Sequence, residues 1–239
     1  MKIDPELCIA CEACVPYCPM GAIIMDDVAK IEQDECVECG VCFRAEVCPV
    51  DAFVEEIHDW PRSVRTAFSN PLVVHKDTRV PGRGTEEAKT TDVTGRFRRG
   101  FVGITAEMGR PGIGVRFYDV EKVAQAMART GVEFAAENPV TNLMVDKKTG
   151  KLKDDVLNEK ACSAMIESIT RVENIPAVIT ALREAAQQIE SVFTVTISTK
   201  LEEDGSALCD KPLKELNVPL YINGKVNVGL GRPLFKEES

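Results

Sequence analysis

The chain has 239 residues, 44% of them hydrophobic, 28% charged and 5% aromatic, with a single Trp; this is the composition of one or two water-facing globular domains, each able to bury a core. The formal net charge of −9 argues against nucleic acid as a partner, because phosphates are held by clustered Lys and Arg. The scarcity of aromatics argues against stacking platforms and aromatic cages. No apolar run approaches the roughly 20 residues that cross a bilayer, so no membrane span is expected.

In chain order, residues 1–7 are polar and lead straight into a cysteine. They leave no room for a signal peptide, which predicts a cytoplasmic protein. Eight of the ten cysteines then fall between Cys8 and Cys48, while Cys162 and Cys209 stand apart. Without an export signal, crowded cysteines point to metal rather than to disulfides, since cytosolic thiols are kept reduced.

The first run, Cys8-Ile-Ala-Cys11-Glu-Ala-Cys14-Val-Pro-Tyr-Cys18-Pro19, matches C-x2-C-x2-C-x3-C-P without a gap. The second, Cys36-Val-Glu-Cys39-Gly-Val-Cys42, closes at Cys48-Pro49 after the five residues 43–47. Three cysteines at this spacing wrap three corners of one iron–sulfur cube. The fourth, turned away by its proline, reaches the other cube. The expected ligands are therefore Cys8, Cys11, Cys14 and Cys48 for cluster I, and Cys36, Cys39, Cys42 and Cys18 for cluster II. Structural zinc uses two Cys pairs on a longer spacer, and a continuous triplet closed by Cys-Pro is not that pattern.

Each run is followed by a small turn and a short apolar strand, within residues 20–25 and 50–54, and residues 28–31 read as the return strand of a hairpin. Asp34 and Glu35 open the second run as Asp4 and Glu6 open the first, an internal repeat of about 28 to 30 residues. On these residues the segment 1–57 resembles the bacterial two-[4Fe-4S] ferredoxin family. The resemblance implies two [4Fe-4S] clusters that pass single electrons, with no catalytic residue and no cofactor site beyond the clusters. Residues 1–61 carry 14 Asp/Glu against 3 Lys/Arg, a negative surround that favours the oxidised clusters and a low potential. Two departures stand out. The family usually has three residues where this chain has five, between Cys42 and Cys48, and Ala10 replaces a common Gly, a change expected to matter little.

Residues 58–100 read as an irregular basic connector. Between residues 60 and 100 there are nine Lys/Arg against four Asp/Glu, and no periodicity persists; a stretch this long is expected to lie as an arm across a partner or a neighbouring subunit. His58 and His75 are expected at the surface. In the domain 101–201, residues 101–108 alternate as a half-buried strand with Val102, Ile104, Ala106 and Met108 on one face. The Gly109–Gly114 loop is weighed as an anion cradle at a helix N-terminus. Asp119 is expected to cap a helix with Val120, Val123, Ala124 and Met127 on one stripe. Residues 132–136 and 143–145 look extended, and 146–150 is a turn. A strand near 162–170 precedes a helix capped by Asn174, whose inner face is Ile175, Val178, Ile179, Leu182, Ala186 and Ile189; a strand follows within 191–199. Strand–helix–strand, twice, is the split β-α-β plan, loosely similar to small regulatory domains of the ACT type. Cys162 is expected in the core and Cys209 exposed or semi-buried. Residues 202–239 form a C-terminal extension with a hairpin at 221–225.

The expected fold is α+β: a dicluster ferredoxin module followed by a split β-α-β, ferredoxin-like sandwich. The expected function is low-potential electron transfer as the iron–sulfur subunit of a larger anaerobic oxidoreductase. Its partners would be a flavin- or tungsten/molybdenum-dependent catalytic subunit and an electron donor or acceptor, and a homo-oligomer could form through the C-terminal domain. The alternatives are a redox or metabolite sensor with an ACT-like ligand domain, and a reductase binding its own substrate in that domain.

Overall fold

The computed structural model of the protein describes residues 1–75, 97–110 and 112–220. Within the first 57 residues, β1 (Lys2–Ile3) pairs antiparallel with β4 (Phe53–Val54), and β2 (Ile23–Met25) with β3 (Ala29–Ile31). Strands this short cannot carry a large core. The buried centre is Cys14, Ile23 and Ala29, with Ile3, Met25, Ile31, Phe53 and several cysteines partly buried around it. The short α1 (Val41–Arg44) follows Gly40, whose φ of 69° lets the chain turn into it.

The stretch expected to be an irregular connector contains α2 (Ser63–Ser69). Val64 and Phe68 lie one turn apart and are both buried. The Phe68 ring meets Phe117 edge-on with centroids 5.0 Å apart, and His75 in the same way at 5.4 Å. His75 is thus buried and not a surface residue. The contacts that define this helix lie across the fold, so the local pattern could not reveal them. Residues 76–96, most of the expected arm, lie outside the described residues.

Next come β5 (Phe101–Met108), β6 (Val115–Arg116), α3 (Phe117–Arg129), β7 (Glu133–Phe134), β8 (Met144–Asp146), β9 (Lys151–Leu152), β10 (Lys160–Ala161), β11 (Ala164–Arg171), α4 (Ile175–Ala186) and β12 (Phe193–Ser198). Four of these strands form an antiparallel sheet in the order β12-β5-β11-β7. Its centre is the eight-residue register from Ala164↔Met108 to Arg171↔Phe101. The expected inner faces are buried together: Val102, Ile104, Ala106 and Met108 of β5, Val120, Val123, Ala124 and Met127 of α3, and Ile175, Val178, Ile179 and Leu182 of α4. Ala185 takes the place expected for Ala186, which is exposed at the end of its helix.

Strand β5 is not half-buried. Thr105 and Glu107, on its other face, are covered as well, and the ring of Phe97 occupies the space a Cβ on Gly103 would need. Helix α3 starts before Asp119, with Arg116 at its N-cap; Asp119 is buried in the first turn, where it accepts from Lys122 and from the Glu190 N–H. The C-terminal extension contributes α5 (Asp210–Glu215) and places Leu213 and Cys209 in the core, so Cys209 is buried. The hairpin expected at 221–225 lies outside the described residues. Among the described residues no helix is long and apolar enough to cross a membrane.

Candidate metal centre

The two cysteine runs fold as near copies of each other. Ala10 and Glu38 have φ of 56° and 54°, Glu12 and Gly40 of 61° and 69°, and Gly21 and Asp51 of 63° and 50°. Each pair occupies matching places in the repeat, so the same left-handed turns recur although only some positions are glycine. These turns point backbone N–H groups at sulfur. The Ala22 N–H donates to Cys18 Sγ at 3.1 Å, and the Ala52 N–H to Cys48 Sγ at 3.3 Å. The extra residues before Cys48 add one more left-handed position, Glu46 at φ 51°.

The fold sorts the eight thiols into two groups, each drawn from both runs. Cys8, Cys11, Cys14 and Cys48 line one pocket with Ile3, Ile9, Ala29, Val50 and Phe53. Burial pushes the Cys14 thiol up, and the neighbouring thiols of Cys11, Cys8 and Cys48 push it the same way. The Cys42 thiol is pushed up to about 12, first by burial and then by Cys39, Cys18 and Cys36 beside it.

The donor set fits iron–sulfur cubes. Among the described residues no three His, Cys, Asp or Glu side chains converge closely enough to hold a single metal ion. A zinc ion needs all its sulfurs within about 2.3 Å of one centre, whereas a cube spreads four thiolates over four irons. The Cys14 and Cys42 thiols, raised by burial and by their thiol neighbours, would lose their protons on binding a cationic cluster core, and amide donors aimed at Cys18 and Cys48 suit sulfur that carries charge.

The two sites differ in their surroundings. At site I, Cys11 is exposed, as are Leu7 and Ile9. Site II sits against the second domain. Arg65 of α2, almost fully buried, donates to the carbonyls of Cys36 at 2.7 Å, Asp34 at 2.8 Å and Gln33 at 3.1 Å, and pairs with Glu159. Arg116 reaches Asp34 at 2.7 Å and Glu35 at 2.8 Å, and Lys160 pairs with Glu35. These contacts hold the Asp34 carboxyl below its usual range, chiefly through Arg116, and the Glu35 carboxyl likewise, chiefly through Lys160.

Between Cys36 and Cys39, Glu38 is buried. It accepts from the Met1 amino group at 2.8 Å and from Arg62 at 2.6 Å, and its carboxylate lies 3.1 Å from His58 Nε2. Burial alone would raise its pKa, but the bonds from the Met1 ammonium and Arg62 outweigh it and the net shift is down. His58 is therefore part of a buried network rather than a surface residue.

Sequence reasoning missed these supports because their partners lie far along the chain. Cys162 is another case. It is half-buried beside site II, not in the core, and its N–H donates to Ser69 Oγ at 2.9 Å. Among the described residues, the helix N-terminus beside the Gly109–Gly114 loop has its first donors already engaged. A Cβ on Gly114 would meet Met20 and the Ala161 carbonyl, and the first N–H groups of α3, at Phe117 and Tyr118, already donate to Glu159 and Leu157 carbonyls.

The family model of the 4Fe-4S binding domain matches residues 1–24. Pyruvate synthase subunit PorD of Methanothermobacter marburgensis is 43% identical over 54 residues, 23% of this chain and 62% of the relative. Ferredoxin-1 of Rhodobacter capsulatus is 52% identical over 74 residues, 30% of this chain and 91% of the relative. A component of an ion-translocating oxidoreductase complex from Methanosarcina acetivorans is 41% identical over 46 residues, 19% of this chain and 17% of the relative. The chain thus spans somewhat under two thirds of the PorD relative, and each alignment covers less than a third of the chain. No solved structure matches.

Proposed function

Since this chain belongs, through its N-terminal segment, to the bacterial-type ferredoxin family, we propose that it carries two [4Fe-4S] clusters and serves as the low-potential iron–sulfur subunit of a larger oxidoreductase. The coarse activity is ferredoxin-type electron transfer at a 4Fe-4S centre. The finer reading assigns Cys8, Cys11, Cys14 and Cys48 to cluster I and Cys36, Cys39, Cys42 and Cys18 to cluster II.

One observation carries it: two groups of four thiols, each composed of three cysteines from one run and the closing cysteine of the other. When bound, the clusters supply one-electron chemistry over a range of roughly −700 to +450 mV. The chain's own residues enclose the thiolates, aim N–H groups at Cys18 and Cys48, and surround both sites with carboxylates. The exposed end at Leu7, Ile9 and Cys11 is where a redox partner would approach cluster I.

A subunit role is supported by size and by kinship. A carrier needs only the first module, and the relatives include a pyruvate synthase subunit and a component of an ion-translocating oxidoreductase complex. The catalytic partner in this reading bears flavin, tungsten or molybdenum. We further read the chain as 1–57 ferredoxin module, 58–100 connector, 101–201 split β-α-β domain and 202–239 extension; the strand order β12-β5-β11-β7 supports the third.

The test is an anaerobic pull-down of the native protein from its source cells, with iron and sulfide counted on the same sample. Eight irons and a stoichiometric companion bearing such a cofactor are expected. A lone protein would overturn the subunit reading and favour the sensor. Replacing Cys48 with Ser is expected to alter the electron paramagnetic resonance (EPR) signal of one cluster while sparing the cluster held by Cys36, Cys39, Cys42 and Cys18. A change confined to that second cluster would refute the crossed pairing.

A further inference from the structure

We propose that Arg44, carried by the five residues that separate Cys42 from Cys48, sets an uncompensated positive charge beside site II and so raises the potential of cluster II. This rests on the two-cluster reading above and deepens it, giving the lengthened loop a task in placing the electron.

The half-buried guanidinium is held by two hydrogen bonds. It donates to the Cys39 carbonyl at 2.8 Å and to Asn70 Oδ1 at 3.2 Å. Asn70 follows α2, and the same oxygen accepts from the Leu72 N–H at 3.0 Å, which fixes the way its amide faces. Gly40, between Cys39 and Cys42, makes room for it: a Cβ there would collide with Arg44 Nη1. Both partners of the guanidinium are neutral, and among the described residues no carboxylate pairs with it. The other cations around site II are neutralised. Arg65 pairs with Glu159, Arg62 with Glu38, Arg116 with Asp34 and Glu35, and Lys160 with Glu35. Lys2 and Lys30, the other basic side chains of residues 1–57, pair with Glu56 and Asp26.

A guanidinium keeps its charge across the working pH range, so no titration enters. Reduction adds one negative charge to a cluster. A fixed cation nearby, in a partly buried setting, lowers the energy of that state by Coulomb attraction and so raises the potential. The internal repeat supplies the contrast. Pro16 stands in the first run where Arg44 stands in the second, and Glu12 stands where Gly40 does. Site I therefore lacks the cation, and it carries an exposed carboxylate at the position that Arg44 overlies at site II. Two loops of nearly the same shape thus meet opposite fields. When the pair shares one electron, cluster I gives it up and cluster II takes it, with no bond made or broken, and the charge of Arg44 favours that direction.

The experiment is an EPR-monitored redox titration of the full-length protein, purified anaerobically, with iron counted in each sample. Cluster II is identified as the one whose signal Cys48→Ser leaves unchanged. Wild type is compared with Arg44→Gln, which removes the charge and keeps an N–H donor, and with Arg44→Lys, which keeps the charge. A third variant, Asn70→Asp, sets a carboxylate on the guanidinium while keeping the oxygen that accepts from it. In Arg44→Gln and Asn70→Asp the reduced-to-oxidised ratio of cluster II at a fixed poise should fall on the order of tenfold, about 59 mV for a one-electron couple. Cluster I should move less, Arg44→Lys should stay near wild type, and every sample should hold eight irons. An unmoved cluster II in whichever of Arg44→Gln and Asn70→Asp keeps eight irons would overturn the proposal. So would an equal shift of both clusters, or a lysine variant that falls as far as the glutamine one. Loss of iron from both Arg44→Gln and Asn70→Asp would overturn it as well, by showing that Arg44 only braces the loop. Failure of the two-cluster reading is separate: it would show as fewer than eight irons, or as a single cluster, in the wild type itself.

Discussion

At the scale of single residues, the left-handed turns around the thiols carry a cost that the sequence does not announce. Ala10 reads in the sequence as a harmless replacement for glycine, yet it sits at φ 56°, where an L side chain costs roughly 1–2 kcal/mol. Part of that is offset by the smaller entropy alanine loses on folding. Ala10→Gly should therefore stabilise the protein by about 0.5–1 kcal/mol, read as a higher urea midpoint for loss of cluster absorbance under anaerobic conditions. Glu38, the matching residue in the second run, gives the opposite outcome because its side chain is used. Glu38→Gln would leave the Met1 amino group and Arg62 without their carboxylate and should cost about 2 kcal/mol. Because the folded pKa of Glu38 lies below its unfolded value, its contribution is full above the unfolded pKa and disappears as pH falls through the folded one. Wild type and Glu38→Gln should accordingly converge in stability on acidification, and a gap that stays constant below about pH 4 would refute the assignment.

Among the elements, α2 has the most leverage. It is only seven residues long, too short to be stable by itself, and it is held because its two faces serve different neighbours. Val64 and Phe68 enter the core of the second domain, while Arg65 satisfies three carbonyls of the loop before Cys39 and pairs with Glu159. Arg65→Ala removes a buried cation and leaves Glu159 and those carbonyls without partners, an expected loss of about 3 kcal/mol. Its distinctive signature would be faster loss of iron from cluster II than from cluster I during anaerobic chelator challenge. Equal rates would mean that α2 serves only the core. None of this was legible locally, since Val64 and Phe68 are too few to establish a helical period and Arg65 reads as one more charge in a basic stretch.

For the molecule as a whole, the ferredoxin module and the second domain meet at site II through ions. Asp34 and Glu35 face Arg116 and Lys160, and both carboxyls are held below their usual range. The stability these pairs lend is present above the unfolded carboxylate pKa values, about 4, and is lost as pH falls through the lowered folded ones. Asp34 is largely exposed, so the pairs orient the two halves more than they stabilise them. The amide of Cys162, which bonds to Ser69 at the end of α2 beside this boundary, should lose protection from hydrogen exchange on acidification or in high salt before the β5–β11 amides do. Simultaneous loss would show that the halves unfold as one unit.

Read as a sequence, the chain carries the spacing of its thiols and the order of the main strands and helices after residue 100. Cysteine spacing is a covalent constraint acting over a few residues, and the stripes of α3 and α4 are set by the helical repeat. It left undecided what lies opposite those elements. Burial of His75, of Thr105 and Glu107 on the second face of β5, the grip of Arg65 on the Cys36 loop, and the bond from the Cys162 N–H to Ser69 each join residues from distant parts of the chain. Such contacts leave no local period to read, because they exist only once hydrophobic burial has brought the two halves together.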